Sequence, residues 1–213
     1  MTTAPERTVE PYPPVVLLET PRTLDKYVIE ALGTFSLVLT VGVALCTGTP
    51  FAALAIGAVL MALIYAGGHR TRAHFNPAIT LAAAMWGRIP FREAAACWLV
   101  QLAAALCAAI AWRLIVGSGQ SESVTEMMLS GRALVGAFGA ELLFTFVLGC
   151  VVFSCVAPPR DAPNTLWHLA ICVAVVVGTV DFAALFGGVF LVSQVIAGAF
   201  TGIAFLVFGS AAR

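Results

Sequence analysis

The stretch GGHRTRAHFNPAITLAAAMWG, residues 67–87, decides how the rest of the chain is read. At its centre stand Asn76, Pro77 and Ala78, and from Pro77 to Trp86 the residues are almost all apolar. Proline suits the first turn of a helix, where its missing N–H has no intrahelical partner to lose. Asn76, just before it, can cap the free amides and still keep its side-chain NH2 group to donate elsewhere. The sequence therefore predicts a helix over 77–86. Crossing a bilayer takes about 20 apolar residues, so a helix of this length goes only halfway and reads as a re-entrant piece. Its N-terminal end, the positive end of the helix dipole, then points to the bilayer centre and disfavours cations and protons.

Working outward, a short apolar run, Phe51–Gly68, precedes this segment and a long one, Phe91–Val116, follows it. Four more apolar runs, Tyr27–Thr47, Ala133–Val156, Leu166–Phe186 and Gly188–Phe208, bring the expected spans to six. Composition agrees: 61% of the 213 residues are hydrophobic and 10% charged, with a mean hydropathy of +0.99. A soluble domain has roughly half apolar and a quarter charged residues. The fold class expected is an all-α membrane bundle of six transmembrane helices with one re-entrant half-helix.

Basic residues set the orientation. With the N-terminus inside, Arg7, Arg22, Lys26, Arg70, Arg72, Arg88, Arg92, Arg160 and Arg213 fall on the cytoplasmic side, and only Arg113 and Arg132 fall outside. Both termini are thus expected in the cytoplasm, with GSGQSESVTEMMLSG, residues 117–131, as an external loop. Residues 1–26 read as a polar cytoplasmic tail rather than a cleaved signal peptide. Residues 27–210 read as one transmembrane domain.

That domain divides into two similar halves, about 27–116 and 133–210. Glu30 in the first span and Glu141 in the fourth are each followed four residues later by threonine, Thr34 and Thr145. Gln101 in the third span corresponds to Gln194 in the sixth. A carboxylate inside a membrane is costly, so it caps backbone groups, pairs, or carries a proton. Two readings of Glu30 and Glu141 stay open: buried groups that hold a re-entrant loop, or carboxylates near the interface at a helix end. Small residues after the sixth-span glutamine, Gly198, Ala199 and Gly202, suit close helix contact.

Taken together, Asn76-Pro77-Ala78 in the frame GH-x4-HFNPAIT, with His69 and His74 upstream, resembles the signature of the aquaporin, or major intrinsic protein, family. The resemblance implies a passive channel for water or a small neutral solute, a homotetramer, a bacterial-type plasma membrane location and Asn76 as a pore-lining donor. It further implies that His69, His74, Glu30, Glu141, Gln101 and Gln194 support the pore loops, and that Ile56 and Thr179 lie in the constriction. Two positions depart from the family pattern: Thr71 and Arg72 stand where Ser-Gly is usual.

A larger departure follows from the repeat. The step from Glu30 to Asn76, repeated from Glu141, reaches position 187, where the chain reads DFAALFGGVFLV around Phe186-Gly187-Gly188, and no Asn-Pro-Ala occurs after Ala78. Glu30 and Gln101 are 71 residues apart, but Glu141 and Gln194 only 53, a deficit of about 18 residues. In the family that segment supplies a second pore asparagine, an opposing half-helix dipole and a filter arginine, and none of them is carried over here. Two outcomes stay open: a wide vestibule guarded by one half-helix, or closure by the fifth and sixth spans. Alongside an impaired channel stands a non-conducting scaffold that keeps only the helices. A proton-coupled transporter using Glu30 and Glu141 is a third reading. Asp181 reads either as a solvated helix-end residue or as a pore group.

Other function classes find no support. A net charge of zero gives no reason to expect nucleic acid. The six cysteines read as small buried hydrophobes, with no redox or metal role. The three histidines lack metal-ligand spacing, and neither a phosphate loop nor a nucleophile motif is present, so neither a cofactor nor enzyme activity is expected.

Overall fold

The computed structural model describes residues 23–68, 71, 73–116, 131–156, 170–175 and 188–208. The tail to residue 22, His69, Arg70, Arg72, the 117–130 loop, most of the fifth expected span with Thr179 and Asp181, and the Phe186-Gly187 turn lie outside the described residues.

Among the described residues six helices carry the fold: α1 Thr23–Cys46, α2 Ala52–Gly67, α3 Pro77–Met85, α4 Phe91–Val116, α5 Gly131–Val156 and α6 Gly188–Phe208. A further helical stretch covers 170–175. The expected boundaries hold closely for α2, α3, α4 and α6. α1 begins four residues before the expected span, which shortens the tail. Its first turn carries Asp25 and Lys26, and Lys26 forms an ion pair with Glu93 in the first turn of α4. Charged residues that looked like tail therefore tie two helix ends together.

α3 shows why a nine-residue helix can stand alone between two spans. Asn76 is extended at φ −148°, its side chain accepts from the Ala78 amide, and Pro77 opens the first turn. At the other end Gly87 adopts φ +75°. The Arg88 amide reaches back to the Ala83 carbonyl at 2.8 Å and the Gly87 amide to Ala84 at 3.0 Å, a Schellman stop that uses the last free carbonyls.

Packing then places α3 at the centre. In one half α1 packs on α2 and α4, and in the other α5 packs on α6, while α3 lies along α6 and also touches α4 and α5. A Cβ at Gly198 would stand 2.5 Å from the Ala78 carbonyl oxygen, and one at Gly202 would stand 2.6 Å from Met85 Cβ. The small residues noted in the sequence are thus the seat of the half-helix, which only glycine allows to come this near. At the C-terminal end of α3, Trp86 meets Phe205 and Phe153 with ring centroids 4.9 and 5.4 Å apart, and Arg88 stacks over Trp86.

The polarity of the molecule is inverted relative to a soluble bundle. Leu99, Leu106, Leu114 and Phe208 face outward, whereas Glu30, Gln101 and Glu141 are at most 2% exposed. Leu24–Cys46, Phe91–Val116 and Leu134–Ser154 are long and apolar enough to cross a membrane, and Ala52–Gly67 and Val192–Phe208 are shorter apolar helices. Cys107 departs from the expected burial: it is exposed on α4, while Cys97 and Cys172 are buried.

Candidate functional site

The loop that leads into α3 is shaped by α1. Both oxygens of Glu30, in the third turn of α1, accept backbone amides of the loop: His74 N at 2.9 Å and Phe75 N at 2.9 Å. Gln101 Nε2 of α4 donates to the second oxygen at 3.0 Å. Of the two readings left open for Glu30, the geometry fits the buried acceptor that holds the loop. The hold matters because Ala73 and Phe75 sit at φ +47° and +49° without being glycine. Each such residue costs about 1 kcal/mol or more, offset by the charge-assisted bonds to Glu30.

Thr80 joins this clamp to the half-helix. Its hydroxyl lies 3.0 Å from the Asn76 carbonyl and 3.3 Å from His74 Nδ1, and it accepts from Gln101 Nε2 at 3.0 Å. Trp98 Nε1 donates to the Pro77 carbonyl at 2.9 Å, fixing α3 to α4. Earlier in the loop, Thr71 Oγ1 accepts from the Ala73 amide at 3.0 Å. Sequence reasoning missed Thr80 and Trp98, and treated Thr71 only as a departure. The one available signal was Thr80 standing a helical turn after Asn76, the spacing of a threonine hydroxyl on a carbonyl.

Asn76 Oδ1 is engaged by the Ala78 amide at 2.7 Å. With that oxygen engaged, Asn76 lines a cavity of about 360 Å³. Ile56, Ile64 and Val175 form an apolar wall of that cavity, with His74, Thr145 and Gln194 among its polar groups. The structure thus brings together Glu30, His74, Asn76, Pro77, Ala78 and Gln101 as one unit, and puts Ile56 beside the same space. His69 and Thr179 lie outside the described residues.

In the second half, Glu141 accepts from Gln194 Nε2 at 2.9 Å and from Thr145 Oγ1 at 2.9 Å. The Glu–Gln pair of the first half is therefore repeated in space as well as in sequence. The threonines behave differently. Thr145 bonds its glutamate, but the buried hydroxyl of Thr34 has no partner among the described residues.

Residues 17–205 match the family described as major intrinsic protein. The chain belongs to the major intrinsic protein family. Aquaporin NIP1-4 of Oryza sativa subsp. japonica is 37% identical over 139 residues, covering 65% of this chain and 48% of that protein. Aquaporin NIP1-2 of Arabidopsis thaliana is 33% identical over 162 residues, covering 70% and 54%. The chain thus spans about half the length of these curated relatives. Both are plant proteins and give no support to a bacterial source. The solved structure of the aquaglyceroporin from Plasmodium falciparum superposes with a TM-score of 0.60 at 19% identity, over 87% of this chain and 83% of that one. At that identity the likeness speaks for the fold. As a major intrinsic protein the chain is a multi-pass membrane protein of a channel family, not an enzyme.

Proposed function

We propose that the protein is a passive channel for water or a small neutral solute, with Asn76 as the pore donor. The observation that carries this reading is the clamp: Glu30 fixes the loop, Thr80 and Gln101 brace it, and Asn76 lines the cavity between the two halves. His74 and His69 support the same loop, Glu141 with Gln194 repeats the brace in the second half, and Ile56 and Thr179 border the narrow zone. The unit is a single domain over 27–210, working as a homotetramer in a plasma membrane with both termini cytoplasmic.

The second Asn-Pro-Ala half-helix is absent from this chain on our reading, and conduction is correspondingly reduced. The deficit of about 18 residues between Glu141 and Gln194 supports it. Pseudo-symmetry adds a second argument. Four residues after Gln194 stands Gly198, against which α3 packs; four after Gln101 stands Ala105, which lines the cavity instead. One polar half-helix over an apolar space offers a dissolved solute fewer hydrogen bonds than two would.

Stopped-flow light scattering on proteoliposomes tests the proposal. Shrinkage faster than that of empty liposomes, for water or for glycerol, is expected; equal rates for both would sink it. The same deficit favours a second reading, a non-conducting scaffold. Permeability that disappears in Asn76→Asp would count against that reading.

A further inference from the structure

The end of α3 and the start of α4 form one short surface, Trp86 to Arg92, that a pore has no use for. Trp86 and Ile89 are 8% and 4% exposed and anchor the segment in the core. Gly87, Arg88, Pro90, Phe91 and Arg92 face outward. Arg88 lies over the Trp86 ring, its guanidinium carbon 3.9 Å from the ring centroid. A guanidinium stacked in this way has given up part of its rotamer freedom before any ligand arrives. The Arg88 amide also closes the last turn of α3, on the Ala83 carbonyl at 2.8 Å.

Charge at this end is uneven. Of the acidic residues described there, Glu93 is taken up by Lys26. That leaves one exposed carboxylate, Asp25, to two exposed arginines, Arg88 and Arg92. The surplus suits an anion, and phosphate matches the fork of a guanidinium.

The neighbouring surface says which phosphate. α4 has 26 residues, about 39 Å at 1.5 Å per residue against about 30 Å of hydrocarbon, so its first turn stands at headgroup level. Phe91 and Leu99 are 63% and 72% exposed, with the small, exposed Ala95 between them. At a spacing of four residues the three share one face of α4, an apolar notch that begins beside the arginines and runs into the bilayer. A soluble phosphate compound would use the arginines and leave the notch empty.

We propose that this surface binds an anionic phospholipid, its phosphate on Arg88 and Arg92 and one acyl chain along Phe91, Ala95 and Leu99. Through Arg88 the bound lipid steadies the last turn of α3. The lipid belongs to the leaflet at this end, the cytoplasmic one in the orientation proposed above, and its binding does not depend on conduction.

The test titrates the full chain in detergent with dioleoylphosphatidylglycerol and counts retained lipid by native mass spectrometry. Saturable retention of one molecule is expected, in preference to dioleoylphosphatidylcholine. Arg88→Gln and Arg92→Gln are each expected to raise the half-saturating concentration about fivefold, and Phe91→Ala about threefold. Arg132→Gln removes an exposed arginine from the first turn of α5 and is expected to change nothing. Glycerol 3-phosphate, a phosphate headgroup without chains, is expected not to compete at equal concentration. An equal loss in Arg132→Gln would mean general attraction to basic surface, and equal competition by glycerol 3-phosphate would mean a soluble ligand. Either result overturns the proposal, as does phosphatidylglycerol retained no better than phosphatidylcholine. Arg92→Gln leaves the Trp86 stack in place, so it decides the matter even where Arg88→Gln folds poorly. Because the readout is bound lipid and not flux, a protein that fails to conduct leaves this result standing.

Discussion

Gly198 of α6 lies against the backbone of Ala78 in α3, with room for no side-chain carbon between them: a Cβ would meet the Ala78 carbonyl oxygen at 2.5 Å and its Cα at 2.9 Å. Neither atom belongs to a flexible side chain, so the helices themselves must part. Gly198→Val is expected to destabilise the protein by about 2–3 kcal/mol, read as a lower melting temperature in detergent. Gly136→Ala is the control. Nothing lies within 4 Å of the Cβ it adds, and there the helix gains about 0.5–1 kcal/mol. Equal effects at the two sites would contradict the close packing.

The two buried glutamates invite a paired comparison. Glu30→Gln sets an amide NH2 where either the His74 or the Phe75 amide needs an acceptor. A cost of about 3 kcal/mol is expected, together with loss of whatever permeability the wild type shows. Glu141 accepts from two side chains that can rotate away, Thr145 and Gln194, so Glu141→Gln is expected to cost about 1 kcal/mol. Thermal melts of the two variants side by side decide it, and the reverse order would refute the asymmetry.

Asn76→Asp separates the cap from the donor. Aspartate still offers an oxygen to the Ala78 amide, so stability is expected to stay within about 1 kcal/mol of wild type. The NH2 donor is gone and a negative charge stands at the mouth of α3. Water permeability is expected to fall about tenfold, with a rise in cation leak measurable by a potential-sensitive dye. A variant that conducts like wild type would remove Asn76 from the pore.

Thr80→Val preserves shape and deletes the hydroxyl shared by Gln101, His74 and the Asn76 carbonyl. Gln101 Nε2 keeps Glu30, so the expected loss is about 1–2 kcal/mol. Thr80→Ser, which keeps the hydroxyl, should recover most of it in the same melting assay.

The helices were legible in the sequence where water and lipid divide sharply. α4 begins right after Pro90 and runs apolar to Val116, and both its ends fall where the apolar run placed them. The start of α1 was not legible, because hydropathy cannot tell a charged tail from a charged first turn paired with Glu93. Within the site, Glu30, Gln101 and Asn76 stood out because polar groups are rare in such a chain. Thr80 and Trp98 did not, since a threonine and a tryptophan in an apolar run have ordinary uses. Their roles depend on partners brought near by the fold: Trp98 on Pro77 and Thr80 on Gln101, each 21 residues away along the chain. The vacant hydroxyl of Thr34 was beyond any pattern, for its twin Thr145 suggested the opposite.

The left-handed pair Ala73 and Phe75 bears on the order in which the molecule is made. Neither residue chooses that backbone on its own, and what enforces it arrives from two directions: Glu30, synthesised earlier, and Gln101, synthesised later. The acceptor for both loop amides is already made when the loop emerges, whereas the brace on that acceptor comes only with α4, so the clamp is completed by a residue that follows the loop in the chain.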